Sequence, residues 1–254
     1  MTASTHTHAD ATFPAGWTEV DVQDLNAILS YALEIFHPRL SLASSFGLED
    51  VALIHALTNI RGDVRVFALD TGRLPEETYE CADRIRSRYG VEIEWYFPRA
   101  DKVEALERNK GLYSFRESVE NRIECCGIRK VEPLNRALQD VDAWITGQRR
   151  EQSVTRKKLD VLEQDGGHGG IWKFNPLADW TLDDVWSYVR QHNIPYNRLH
   201  DHGYPSIGCA PCTRAIAPGE DQRAGRWWWE NPEHKECGLH IRKVDDREYE
   251  RGNL

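Results

Sequence analysis

An α/β fold with a mostly parallel sheet flanked by helices is what this sequence predicts, and three observations carry it. Apolar, strand-like runs alternate with segments of helical period through the first two thirds of the chain. Three of those runs end in small or polar residues, where an open parallel sheet offers the ends of its strands to a ligand. The chain has 254 residues, 40% hydrophobic and 29% charged, enough for one well-buried globular domain.

Residues 1–16 are polar and irregular and read as a disordered tail. Asp21 can cap a helix whose apolar positions Leu25, Ile28, Leu29, Ala32 and Phe36 recur at helical spacing, with Pro38 ending it. Residues 40–43 read as a strand, Ser44-Ser45-Phe46-Gly47 as a small polar loop, and 48–57 as a helix. That layout presents a helix N-terminus to phosphate, although the Gly-Lys-Ser/Thr ending of a Walker loop is missing. A second strand over 64–69 ends in Asp70-Thr71-Gly72, and Pro75 opens a helix to Tyr89 in which Cys81 is simply packed. A third strand covers 91–96, and 101–108 suggests a helix.

Residues 109–124 show no clear period. Residues 127–138 look helical, with Arg129 and Lys130 in the first turn, where the dipole disfavours cations unless something negative lies near. A fourth strand over 143–146 ends in Gly147-Gln148-Arg149-Arg150. Residues 151–170, charged and then glycine-rich, read as a flexible loop over the site, and 171–174 as a short strand. Thr181 and Asp184 form a capping box for a helix to about residue 192. The domain organisation expected is a nucleotide-binding α/β domain over 17–205 and a functional C-terminal segment over 206–254.

The net charge of −9 argues against bulk binding to nucleic acid. Yet basic residues cluster at Arg149, Arg150, Arg156, Lys157 and Lys158, and again at Arg223 and Arg226. Clusters of that kind in an acidic protein suggest a small anionic ligand, with Lys157 and Lys158 better read as solvated surface. No stretch approaches the roughly 20 apolar residues of a membrane span. The first residues lack the charged start and apolar core of a signal peptide, and six cysteines, two of them adjacent, suit a reducing compartment. A cytoplasmic location is expected.

Cys209-Ala-Pro-Cys212 is ambiguous between zinc, a redox disulfide and an Fe–S cluster. With the tandem pair Cys125-Cys126 it supplies four thiolates, enough for zinc or a 4Fe–4S cluster. Adjacent residues on a helix point about 100° apart, which suits a wider target than one ion. Cys237 stands apart, with charges before it, a glycine after it and His240 three residues on, a setting for an exposed, reactive thiolate.

The chain resembles the thioredoxin-dependent assimilatory adenylyl-sulfate (APS) reductases of the PAPS/APS reductase family. The matching pieces are SSFGLED at 44–50, LDTG at 69–72, CCGIRK at 125–130, TGQRR at 146–150, GCAPCTR at 208–214, RWWWE at 226–230 and ECGLH at 236–240. They run in family order, and together they are highly specific. The resemblance implies an adenine nucleotide α-hydrolase-like (Rossmann-like) fold with a C-terminal catalytic tail. It implies reduction of APS to sulfite and AMP, with Cys237 as nucleophile assisted by His240. A 4Fe–4S cluster would sit on Cys125, Cys126, Cys209 and Cys212. Substrate contacts would come from Ser44, Ser45, Gly47, Asp50, Leu69, Asp70, Thr71, Gly72, Lys130, Gly147, Arg156, Arg223 and Arg226. Thioredoxin or glutaredoxin would supply electrons, and the family is often homo-oligomeric. Reductases specific for 3′-phospho-APS (PAPS) lack the four cluster cysteines, although some cluster-bearing relatives take both nucleotides. A tRNA-modifying enzyme on the same fold would want an SGGxDS-type loop and a broad basic surface. A zinc module would leave Cys237, Arg223 and Arg226 without a purpose.

Overall fold

A computed structural model of the chain describes residues 13–230. Among these residues six strands form one sheet: β1 (Leu40–Ser44), β2 (Arg65–Leu69), β3 (Ile93–Tyr96), β4 (Ala143–Ile145), β5 (Leu162–Asp165) and β6 (Ile171–Phe174). Their order is β3-β2-β1-β4-β6-β5, with all neighbours parallel except the β5–β6 pair at the edge. The chain builds outward from β1 to β3, then returns to the other side of β1 with β4. The β1–β4 boundary is therefore a topological switch point, where an open α/β sheet leaves a crevice beyond its strand ends.

Among the described residues seven α-helices accompany the sheet: α1 (Leu25–Phe36), α2 (Leu48–Ile60), α3 (Glu76–Tyr89), α4 (Ala100–Lys110), α5 (Val119–Cys126), α6 (Glu132–Ala137) and α7 (Leu182–Gln191). Alternate strand residues face opposite layers. Leu40, Leu42, Val66, Ala68, Ala143, Ile145 and Phe174 join the main core with α1, α2, α3 and α7. Phe67 and Trp144 join a second core with Leu134, Ala137 and Leu138 from the α6 side. Burial on both faces is what a parallel sheet requires. α2 is buried along most of its length and packs against β1, α1 and α7.

Four expectations change. Residues 13–16 are held in place, because the Tyr31 hydroxyl donates to the carbonyls of Pro14 and Ala15 at 3.0 and 2.9 Å. The segment read as a flexible loop contains β5, an edge strand whose sequence Leu-Glu-Gln-Asp has no apolar alternation. Its turn into β6 uses Gly169 and Gly170, both at positive φ. The helix read from residue 127 begins earlier, at Ser118, whose hydroxyl caps it by accepting from Asn121 N at 3.1 Å. α5, a π-helical turn (Gly127–Val131) and α6 follow one another without a break. Arg129 and Lys130 thus lie inside a helical run and not at its start, so no helix dipole opposes them. The first helix is capped by Asp24, which accepts from Asn26 N at 2.8 Å, while Asp21 caps a turn just before it. The Thr181–Asp184 capping box forms as expected.

Candidate functional site

β1 delivers Ser44 to the switch point and the chain turns sharply there. Phe46 adopts φ 59°, a conformation non-glycine residues avoid, and is held by complete burial and by Trp95, 5.8 Å away between ring centroids. With Phe46 turned into the core, its two serine neighbours flank the opening. Ser44 Oγ accepts from Phe46 N at 3.1 Å. Ser45 N and Oγ both donate to Asp50 Oδ2, at 2.6 and 2.8 Å. Gly47 is the N-cap of α2 and has no capping side chain, so the first amides of that helix face the crevice.

The crevice is a cleft of about 240 Å³. Of the residues expected at substrate, Ser44, Ser45, Gly47, Asp50, Leu69, Thr71, Lys130, Gly147, Arg156, Arg223 and Arg226 line it. Asp70 and Gly72 are not among the lining residues. Asp70 instead accepts from Gly72 N at 2.7 Å and from the Tyr79 hydroxyl at 3.0 Å, and so shapes the loop after β2. Gly147 is required by close approach: a Cβ there would come within 2.6 Å of Asp50 Oδ1 and 2.7 Å of Glu49 Cβ. Burial raises the Asp50 carboxyl from 3.8 to about 6, opposed by the Ser45 hydrogen bonds.

The basic clusters divide. Arg149 is buried and committed to Glu49 at 2.8 Å and Glu151 at 2.9 Å, and Arg150 pairs with Asp179. Neither lines the cleft. At the C-terminal segment, Glu220 pairs with Arg214 and Glu230 with Arg122. Arg226 donates to Ile207 O at 3.2 Å, and its Nε is buried with no hydrogen-bond partner among the described residues. Gly208 lets this guanidinium lie flat, since a Cβ would meet its carbon at 2.5 Å.

Next to the cleft is a second, smaller cavity of about 20 Å³. Cys125, Cys126, Cys209 and Cys212 all line it, although 82 residues lie between Cys126 and Cys209. All four cysteines are buried and none is in a disulfide. The π-helical turn follows directly on the tandem pair, an irregularity of the kind found at functional sites. Thr71 Oγ1 lies 3.2 Å from Cys209 Sγ, and Ala210 N donates to Arg73 O at 2.8 Å, so the loop after β2 braces the CxxC turn. Arg73, Arg122, Arg129, Lys130 and Arg226 form the charged part of the wall. Arg129 is fixed by Thr71 O at 2.7 Å and Glu107 at 2.6 Å. The guanidinium groups of Arg122 and Arg226 both lie over the ring of Trp227, at 4.8 and 4.7 Å from its centre.

Burial pushes the Cys125 thiol up, with Arg129 and Arg73 opposing it, and pushes Cys212 to about 12, helped by Cys209. Four such thiols walled by cations are a donor set for a group that carries its own positive charge and takes thiolates. No set of three or more His, Cys, Asp or Glu side chains among the described residues is arranged for a single metal ion. Lys130 and Arg226 line both cavities. Cys237 and His240, expected as nucleophile and its helper, lie outside the described residues.

Sequence reasoning missed the cleft's aromatic wall, Trp95 and Trp144, and the segment Pro205-Ser206-Ile207 with Gln222. The only signal for that segment was its position just before Cys209.

Residues 39–215 match the family model described as the phosphoadenosine phosphosulfate reductase domain. The chain is 56% identical over 223 residues to the adenosine 5′-phosphosulfate reductase of Burkholderia cepacia, covering 88% of each chain. It is 53% identical to the enzyme of the same name from Allochromatium vinosum, covering 81% of this chain and 80% of that one. It is 49% identical to 5′-adenylylsulfate reductase 3, chloroplastic, of Arabidopsis thaliana, covering 89% of this chain and half of that longer protein. Among solved structures, the phosphoadenylyl-sulfate reductase of Candida auris is 27% identical with a TM-score of 0.65, over 76% of this chain and 90% of that one. The FMN adenylyltransferase of Candida glabrata, at 15% identity and TM-score 0.55 over 92% of this chain and 81% of that one, shares the fold alone.

Proposed function

Because the chain belongs to the phosphoadenosine phosphosulfate reductase family, we propose that it is an oxidoreductase that reduces APS to sulfite and AMP in sulfate assimilation. One observation carries this reading: the ligand cleft and the four-cysteine pocket share Lys130 and Arg226 as a common wall. Relatives near 50% identity are named for APS, which favours APS over its 3′-phosphorylated analogue.

The adenosine half of the substrate lies along the β1, β2 and β4 exits, at Ser44, Ser45, Gly47, Asp50, Leu69, Thr71 and Gly147. Its phosphosulfate is held by Lys130, Arg156, Arg223 and Arg226, arginine being suited to planar oxyanions through its paired donors. Cys125, Cys126, Cys209 and Cys212 hold a 4Fe–4S cluster. Such a group supplies a delocalised redox-capable charge beside the two shared cations.

Cys237 supplies the nucleophile. An ordinary thiol with a pKa of about 8.5 is mostly protonated at neutral pH, so His240 and the cationic cleft favour its thiolate. The thiolate attacks the sulfur of APS, a sulfur–sulfur bond forms, and the sulfur–oxygen bond to the phosphate breaks. AMP leaves with that bonding pair, and Cys237 carries an S-sulfo group. A thiolate of thioredoxin or glutaredoxin then attacks Cys237 Sγ. Sulfite departs with the electrons of the sulfur–sulfur bond, and the donor's second thiol resolves the mixed disulfide. The dithiol is thereby oxidised by two electrons.

The test is sulfite and AMP release from APS by the iron-loaded protein with thioredoxin present. Equal amounts of both are expected, and no sulfite would overturn the reading. Arg223→Ala and Arg226→Ala are expected to lower kcat/KM about ten- to a hundredfold, the worth of one charge-assisted hydrogen bond. Unchanged kinetics in both would remove these arginines from the substrate site.

A further inference from the structure

Thr146 and Gln148 leave β4 on either side of Gly147, and both line the cleft. Behind them runs a chain of buried polar groups across β4, β6 and β5. Thr146 Oγ1 donates to Asn175 Oδ1 at 2.5 Å. Asn175 Nδ2 donates to Glu163 Oε1 at 3.1 Å. Lys173 Nζ lies 3.1 Å from that same carboxylate oxygen and donates to Gln148 Oε1 at 2.7 Å. Thr146, Gln148, Lys173 and Asn175 are all buried.

A lysine ammonium has only N–H groups to offer. Its contact therefore fixes which atom of the Gln148 amide is which. The oxygen is spent on Lys173, and the NH₂ is the end turned the other way. The same logic holds Thr146: its proton is spent on Asn175, which leaves oxygen lone pairs. Lys173 Nζ also sits 5.6 Å from the ring centre of Trp144, another cleft residue. A buried, paired cation is a poor device for stability alone, because packed apolar residues of similar volume serve as well or better. Its effect here is orientation.

We propose that Gln148 contacts the nucleotide, donating an amide N–H to an acceptor oxygen of its ribose 5′-phosphate half, and that Lys173 is the positioning residue that sets that amide. The inference rests on the nucleotide reading above and deepens it. It also accounts for placing a lysine, and not a leucine or methionine, at the buried third position of β6.

Gln148→Glu is the discriminating variant. Glutamate keeps the oxygen that Lys173 binds, now as an ion pair, while replacing the NH₂ with an anionic oxygen. Because the added anion would by itself repel the phosphate of AMP, Gln148→Met, which removes the NH₂ without adding charge, is measured beside it, and were Gln148 only structural this uncharged variant would leave nucleotide binding intact. In the full-length, iron-loaded protein, the expected result is an undiminished melting temperature with AMP affinity weakened about tenfold or more by calorimetry. Adenosine is the second probe: loss on both ligands places the acceptor on the ribose, loss on AMP alone places it on the phosphate. Gln148→Met carries the same expectation for affinity. Lys173→Met should raise KM with a smaller change in kcat. The double variant Gln148→Ala/Lys173→Met should bind AMP no more weakly than Gln148→Ala, because the lysine acts through the glutamine. AMP affinity within about twofold of wild type in a folded Gln148→Glu or Gln148→Met protein would overturn the contact, and additive effects would overturn the positioning role. Wild-type sulfite release is measured on the same preparation. If that is absent the functional reading fails, and if it is present while either Gln148 variant binds AMP normally, only this inference fails.

Discussion

Asp50 shows what the cleft asks of single residues. Its carboxyl is pushed from 3.8 to about 6 by burial, against the two Ser45 hydrogen bonds that favour the charged form. Between about pH 4 and pH 6 the folded chain therefore holds a proton the unfolded chain has released, and the stability this group contributes falls as pH rises through that window. Asp50→Asn removes the titration. Its stability relative to wild type should rise by on the order of 2–3 kcal/mol from pH 4 to pH 6 and stay level above pH 7, measured by urea unfolding. A difference that does not vary with pH would contradict the account. Asp50 was legible as a cleft residue through the SSFGLED motif that it closes, but its burial was not. Arg149 and Arg150 were legible as cations of a basic cluster, but not as cations already committed to partners. Their partners Glu49 and Asp179 are distant in sequence, and nothing local in a sequence shows which cations already have one.

The element that most needs its tertiary partners is α5. Its sequence lacks a clean apolar stripe because its inward face carries Arg122, Cys125 and Cys126, so the period was unreadable. Arg122 is 3% exposed and Glu230, 2.7 Å away, is 4% exposed, a buried pair that ties α5 to the segment holding Trp227. Arg122→Ala strands the Glu230 charge in the interior and is expected to cost about 3–5 kcal/mol, read as a lowered urea midpoint. A change under about 1 kcal/mol would mean that the pair is solvated. The cysteines at the end of α5 make a separate forecast. Cys126→Ser should lose bound iron and sulfide by chemical assay, and full retention would contradict the tandem-ligand assignment. β5 was illegible for a different reason. Leu162 is its one apolar residue, so no alternation marks it, and only its pairing with β6 reveals it.

At the scale of the molecule, the strand order does the assembling. The exits of β1 and β4 part at the switch point and open the cleft. The loop after β2 then reaches both the CxxC turn, through Thr71 and Arg73, and the tandem-cysteine helix, through Arg129. That convergence was foreseeable, since strand–helix alternation and the two cysteine pairs are local patterns. The wall from Pro205 to Ile207 and the Lys173–Gln148 network were not, because they depend on how distant segments dock. The central claim is that a substrate bound in this cleft transfers its sulfur to Cys237. The direct measurement is mass spectrometry of the iron-loaded protein after APS is added without a thiol donor. A gain of about 80 Da, one SO₃ group, on the peptide holding Cys237, removed when thioredoxin is added, is the expected result. An unmodified Cys237 peptide alongside stoichiometric AMP, or a Cys237→Ser protein that releases sulfite at the normal rate, would contradict it.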